Sequence, residues 1–234
     1  MMRHWLIGWL LLVVVFGVGV SVVFAGSSGE EIAVDLSYLA RGKGELTFRQ
    51  LADGGSLESG DSFKIVFTPS ERCYVYIYQI DSAGLIYQLF PMEEFGGVWV
   101  GNRNPVQAGK TYYIPAEDKS FELDEVTGLE TIYLVASHTP ETELERQYQR
   151  VVQIQHEASG MDEEDLARVD QALEELEAAL AMKGRTKGVA RLVPDEGSGE
   201  PVTWEEDGQF FSILQQRLEG LCDGCVNILE FQHR

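Results

Sequence analysis

Basic residues are scarce in this chain of 234 residues: Lys and Arg number 18 against 38 Asp and Glu, a formal charge of −20 at neutral pH. Such a surface has no long-range attraction for nucleic acid or for an anionic membrane face, which argues against both as partners. It fits a soluble surface or a basic protein partner. Histidine is scarcer still, and only His138, His156 and His233 lie beyond the first few residues. None has a nucleophile-elbow or similar context, and each reads as a surface or loop histidine. Cysteine is limited to Cys73, Cys222 and Cys225. With no second Cys-x-x-Cys pair, zinc would need Cys73, His156 or His233 as further ligands, so no metal is expected. A c-type haem site would need His where Val226 stands. Asp195 to Glu200 lacks the alternating ligand order of an EF-hand loop. Glycine motifs that cradle phosphate are absent, and so are internal repeats. No catalytic, metal or cofactor-binding residue is assigned.

One long apolar run is present, from Trp5 to Phe24, after Arg3 and His4 and before Ala25-Gly26-Ser27-Ser28. Val23 and Ala25 fit the small-residue positions of a signal-peptidase site. The run is also long enough to span a bilayer if it stays uncleaved. Residues 1–25 therefore read as a signal peptide or a membrane anchor helix. Either outcome places the rest outside the cytoplasm, periplasmic, secreted or anchored in the inner membrane, with membrane contact only through residues 5–24.

The remaining chain is rich in β-type runs. Phe63, Ile65 and Phe67 alternate with Lys64, Val66 and Thr68, as in a strand with one buried face. Cys73 to Ile80 has no clearly polar face and reads as a strand inside a sheet. Asp81-Ser82-Ala83-Gly84 makes a turn, and Leu85 to Phe90 returns as the partner strand. Glu30 to Ala40 is a candidate lead-in strand, and Arg41 to Gly60 a polar wrap at the domain edge. Val98-Trp99-Val100, Thr111 to Pro115, Phe121 to Leu123 and Thr131 to Ser137 follow as further short strands. This spacing of strands and turns indicates an antiparallel β-sandwich.

Several of these motifs, in this order, resemble the bacterial family called domain of unknown function 4384. They are Gly60-Asp61 with Phe63, the aromatic strand ending Tyr76-Ile77-Tyr78-Gln79-Ile80-Asp81, then Gly84 and Leu89-Phe90-Pro91. Asn104-Pro105-Val106, Ala108-Gly109, Tyr113-Ile114-Pro115, and Gly128 and Glu130 before Leu134 to Ser137 continue the likeness over residues 46 to 138. The resemblance implies an exported or membrane-associated β-domain, often an accessory to other modules, and brings no catalytic residues with it.

Thr139-Pro140 opens a helical segment with Leu144, Tyr148, Val151 and Val152 at helical spacing. Ser159 and Asp162 form a capping-box variant, followed by Leu166, Val169, Leu173, Leu176 and Leu180 as a narrow apolar stripe. Lys183-Gly184-Arg185 supplies a stop. Residues 139–183 thus read as a helical hairpin inserted before the closing strands. Gly188 to Val193 is a candidate return to the sheet, and Pro194 to Glu206 an acidic mobile loop. Phe210 to Leu221 is ambiguous between helix and a strand–helix mixture, and Val226 to Phe231 is the closing strand. The organisation is 1–25 leader, 26–45 lead-in, 46–138 sandwich core, 139–183 hairpin, and 184–234 closing strands.

Three features are candidate sites. Cys222-Asp223-Gly224-Cys225 precedes a β-type run rather than a helix, which favours a structural disulfide over thiol exchange, or a bridge from one of the pair to Cys73. Tyr74, Tyr76 and Tyr78 share one face of their strand, either as core packing or as an aromatic platform for sugar rings or an extended peptide. Glu163, Glu164, Asp170, Glu174, Glu175 and Glu177 form an acidic ridge for docking a protein partner in the envelope. The expected role is an exported, non-enzymatic binding or assembly component of the bacterial cell envelope. The alternative is an enzyme, thiol-dependent or hydrolytic, using the Cys-x-x-Cys or an unrecognised site.

Overall fold

The structure is a computed structural model and describes residues 31–157, 163–187, 191–194, 201–219 and 221–234. The leader expected over residues 1–25 and the capping box at Ser159 and Asp162 lie outside these.

Two sheets face each other, antiparallel except where β3 joins β16 in parallel, and the content is mostly strand as expected. In chain order the strands of the first are β1 (Val34–Arg41), β2 (Arg49–Gln50), β4 (Ser62–Pro69), β9 (Tyr112–Ile114), β10 (Phe121–Glu122), β12 (Arg191–Pro194) and β15 (Gln216–Glu219). The second holds β3 (Gly55–Leu57), β5 (Tyr74–Ile80), β6 (Ile86–Phe90), β11 (Gly128–Ser137) and β16 (Cys225–His233). Their orders are β10-β4-β1-β15-β12, with β2 on β1 and β9 on β4, and β3-β16-β11-β5-β6. Two hairpins stand apart, β7 (Met92–Phe95) with β8 (Val98–Asn102), and β13 (Val202–Glu206) with β14 (Gln209–Ile213).

Alternation builds the core. Leu36 and Tyr38 on β1, Phe63, Ile65 and Phe67 on β4, Val75 and Ile77 on β5, Ile132 and Leu134 on β11, and Leu229 and Phe231 on β16 meet between the sheets. The lead-in segment holds strand β1, which pairs with β4 along its whole length and with β15 on its other side. The sandwich thus takes a central strand of each sheet, β1 and β16, from outside residues 46–138.

Both outer faces are covered. Helices α1 (Thr142–Glu157) and α2 (Glu163–Lys187) lie on the second sheet, where Leu144, Val151, Leu173, Leu176 and Leu180 bury Tyr76, Tyr78, Tyr133 and Val135. Arg150 meets Glu175, Arg168 meets Glu157, and Lys183 meets Glu141, so the two helices run antiparallel. The basic and glycine residues at 183–185 do not stop α2, which continues through Gly184 to Lys187. A single glycine inside a helix costs only about 1 kcal/mol, too little to break a helix that packs well.

The other cover is where the sequence misleads most. Residues 202–206, expected in a mobile loop, form strand β13, and the ambiguous stretch from Phe210 carries strands β14 and β15. Trp204 and Phe211 of this hairpin stack at 5.2 Å and bury Leu39 and Val66 on the outer face of the first sheet. Strand β4 is therefore buried on both faces, and its Lys64 has no exposed surface.

Candidate functional site

The hairpin β13–β14 closes over a buried ionic cluster. Lys64 Nζ lies 2.6 Å from Glu206 Oε2, and Arg41 reaches the other oxygen of the same carboxylate at 2.9 Å. The Ser120 hydroxyl donates to that oxygen at 2.8 Å. Lys64 also donates to the carbonyls of Ala116 and Glu117, at 3.1 and 2.7 Å. Burial pulls the Lys64 pKa down, and Glu206 pulls it partly back. The cluster fixes the turn after β9 from behind.

In front of that turn lies an open cleft of about 300 Å³ between β8 and residues 110–118. Trp99 stands in it, 65 % exposed, with Val98 beside it at 57 %. Why the indole rests there follows from Gly101: a Cβ at that position would approach Trp99 Nε1 to 3.3 Å, and its φ of +66° suits glycine. The facing wall carries Tyr113, the exposed carboxylates of Glu117 and Asp118, and Lys110, whose ammonium lies 4.8 Å from the centre of the Tyr112 ring. Asn102 Nδ2 donates to the carbonyls of Tyr113 and Pro115 at 2.9 and 3.0 Å. Those carbonyls line the β9 side turned away from β4, so the edge is already capped.

The expected site residues fall elsewhere. Tyr74 is half-buried, and Tyr76 and Tyr78 are fully buried beneath the helices. Tyr76 donates to Glu145 at 2.7 Å, and Tyr78 packs on Tyr148 at 5.1 Å. An open aromatic platform cannot form there, because the helical insertion needs an apolar face to bury its own stripe. The acidic ridge is broken in a similar way. Asp170 and Glu174 are exposed, but Glu175 pairs with Arg150 at 2.8 Å and Glu177 is half-buried towards Tyr133. Burial raises the Glu177 pKa. The side chains of Glu163 and Glu164 lie outside the described residues.

Cys222 and Cys225 are bonded to each other, and Cys73 is a buried free thiol. The disulfide closes the turn between β15 and β16, held by Gly224 N–H on the Ala136 carbonyl at 2.8 Å. A strand follows it, so no helix N-terminus is there to acidify a thiol.

One constellation was not legible at all. Ser59 Oγ lies 3.1 Å from His233 Nε2, and His233 Nδ1 lies 3.6 Å from Glu130 Oε1. His233 is buried rather than on the surface, in contrast to His156. The residues are spread over 174 positions, and only β-pairing of the C-terminal strand joins them. The order resembles a Ser–His–acid relay, but the means to stabilise an oxyanion are missing locally. The amides of Ser59, Gly60 and Asp61 already donate to Arg234, Leu123 and Glu58. Glu130 itself accepts from Gln79 and from the amide of Ser82. The cluster clasps the last strand to its neighbours.

Among the described residues no group of three His, Cys, Asp or Glu is arranged to hold a metal ion, and no helix is long and apolar enough to cross a membrane. Residues 56–140 match the family model described as Domain of unknown function (DUF4384), the family that the motifs resemble. No curated protein and no solved structure matches the chain. The matched stretch contains the whole cleft around Trp99 and neither outer cover.

Proposed function

We propose, from the DUF4384 match over residues 56–140, that this chain is an exported, non-enzymatic binding component of the bacterial cell envelope, and that it binds through the Trp99 cleft. The observation that carries the reading is the placement of a 65 % exposed indole, seated on Gly101, at the mouth of a cleft with fixed walls. What supports a site is the combination of that indole and Val98 with convergent polar side chains around one cleft. The apolar run before Ala25 and the Cys222–Cys225 bond support export. A protein partner in the envelope is the second occupant of the same reading.

The test uses the protein recovered from expressing cells. A photo-crosslinking residue at position 99 should capture a discrete envelope component that the same residue at Glu174 does not. Esterase, glycosidase and insulin-reduction assays should show no turnover. Turnover that disappears in Ser59→Ala would overturn the reading in favour of a hydrolase, and turnover lost in Cys222→Ser in favour of a thiol enzyme.

A further inference from the structure

The cleft has a chemistry of its own, and it selects between ligand classes. Resting on the proposal that the cleft binds, we infer that its ligand is a neutral saccharide with a flat C–H face, such as a β-linked hexopyranose chain. Four observations converge on this class.

First, the aromatic surface is one indole and its neighbour Val98, not a broad apolar patch. That matches the flat face of a pyranose with equatorial substituents, which is apolar on its C–H side and hydroxyl-rich at its rim. Second, the groups around the indole are mixed in sign. The carboxylates of Glu117 and Asp118 accept from hydroxyls, while the Lys110 ammonium donates. Tyr113 gives its hydroxyl proton to the Thr203 carbonyl at 3.0 Å, so in this arrangement the phenol offers its lone pairs, and Lys110 is the donor. A strongly anionic ligand would meet two carboxylates for one ammonium, and the chain's charge of −20 opposes it further.

Third, an extended peptide finds little handhold on the β9 wall. Strand addition needs free backbone groups on an edge, and at β9 the carbonyls of Tyr113 and Pro115 are taken by Asn102. The carbonyls of Ala116 and Glu117 are taken by Lys64. Four carbonyls of this wall are therefore engaged, which weakens main-chain recognition there and favours side-chain recognition of hydroxyls. Fourth, the cleft, at about 300 Å³, sits at the small end of ligand sites, large enough for one or two sugar rings. The rest of a chain would run on over the surface, in keeping with the cleft's open ends.

The pieces are held before any ligand arrives. Trp99 lies against Gly101, Lys110 over Tyr112, and the opposite wall is pinned by Asn102 and Lys64. Little ordering is then left to oppose binding.

The experiment titrates the protein recovered from expressing cells with cellohexaose and with N-acetylchitohexaose, followed by calorimetry. At least one should bind saturably, and Trp99→Ala should weaken it about tenfold or more, the equivalent of one lost stacking contact. Trp99→Phe, which keeps a ring, should retain most of the affinity. Gly101→Ala should weaken binding without touching the ligand directly, because the indole must shift. Thermal unfolding at the wild-type temperature in Trp99→Ala shows that the loss is local, since the side chain is exposed. No binding of either oligosaccharide at about 10 mM, or unchanged binding in Trp99→Ala, would overturn the saccharide assignment. In that case a crosslink from position 99 to a polypeptide keeps the binding reading alive with a different ligand, and no crosslink removes both.

Discussion

Replacing Lys64 tests whether the ionic cluster, rather than the aromatic stack alone, holds the β13–β14 cover in place. Lys64→Met keeps the length of the side chain and removes the charge. Glu206, 3 % exposed, then keeps Arg41 at 2.9 Å and Ser120 at 2.8 Å but loses its closest cation at 2.6 Å. The Ala116 and Glu117 carbonyls lose their donor as well. Breaking one side of a buried pair costs about 3–5 kcal/mol, and each stranded carbonyl adds about 1 kcal/mol. Retention of Arg41 offsets part of that, so a net loss of about 3–4 kcal/mol is expected. Glu206→Gln should cost less, about 2–3 kcal/mol, because Lys64 can shed its proton instead of staying buried and charged. The burial-lowered pKa of Lys64 fixes the sign of the pH effect. The unfolded chain keeps that proton up to about pH 10.4 while the folded chain releases it earlier. Stability therefore rises with pH through the folded pKa, and more so in Glu206→Gln. Urea unfolding can be followed by the emission of Trp204, whose ring centre lies 5.4 Å from Lys64 Nζ. In the double mutant the losses should fall short of the sum by about 1–3 kcal/mol. Losses that simply add, within about 0.5 kcal/mol, would refute a coupled pair.

Two further outcomes follow from the same structure. Burial raises the pKa of Tyr38, Tyr76, Tyr78 and Tyr133, so these phenols hold their protons in the folded state while the unfolded chain loses them near pH 10. Their contribution is present below that value and is withdrawn above it, giving a cooperative alkaline transition in which tyrosinate absorbance and loss of near-ultraviolet dichroism coincide; tyrosinate appearing well before unfolding would contradict it. For the cysteines, burial and the nearby charge of Glu71 push the Cys73 thiol up to about 12, so the native protein should resist alkylation, the denatured one should take up one equivalent, and the reduced one three. Two reactive thiols without reduction would show Cys222 and Cys225 unbonded.

The sandwich strands were legible because their signals are local: period-2 alternation at Phe63 to Phe67, a two-sided apolar run at Tyr74 to Ile80, and turn residues at Asp81 to Gly84. The apolar stripe of α2 was legible for the same reason. What failed was composition read as conformation. Residues 201–206 are acidic and polar, yet Trp204 and Glu206 point inwards, and Glu206 is there because two cations from β1 and β4 await it. No local pattern encodes a partner 142 positions away. For the same reason, alternation alone puts Lys64 on the solvent side of its strand. Of the two readings of the tyrosine stripe the structure has core packing, and the cover that buries Tyr76 and Tyr78 arrives only after residue 141. The sequence places Trp99 only in a short strand, and its exposure depends on how the β7–β8 hairpin stands apart from the two sheets.

The placement of these covers narrows where this fold can act. The second sheet's outer face is occupied by the helices and the first's by β13–β14. Edges are managed too: the amides of Ile86 and Gln88 on β6 donate to Gln155 and Tyr148 of α1, which blocks pairing by another chain. At β9 the Asn102 amide does the same. An edge treated in this way resists aggregation, and it equally resists peptide strands as ligands. Recognition is then left to side chains that project beyond the sheets, and Trp99 is the most exposed aromatic within the matched residues 56–140. The covers come from outside that stretch, β13–β14 and the helices alike. A chain bearing the same matched stretch with different covers would keep the cleft, because its walls are fixed by Asn102 and Gly101 from within. The contacts that reach the cover would change, namely Lys64, Arg41 and Ser120 on Glu206 and the Tyr113 hydroxyl on the Thr203 carbonyl, and with them the stiffness of the wall behind Glu117.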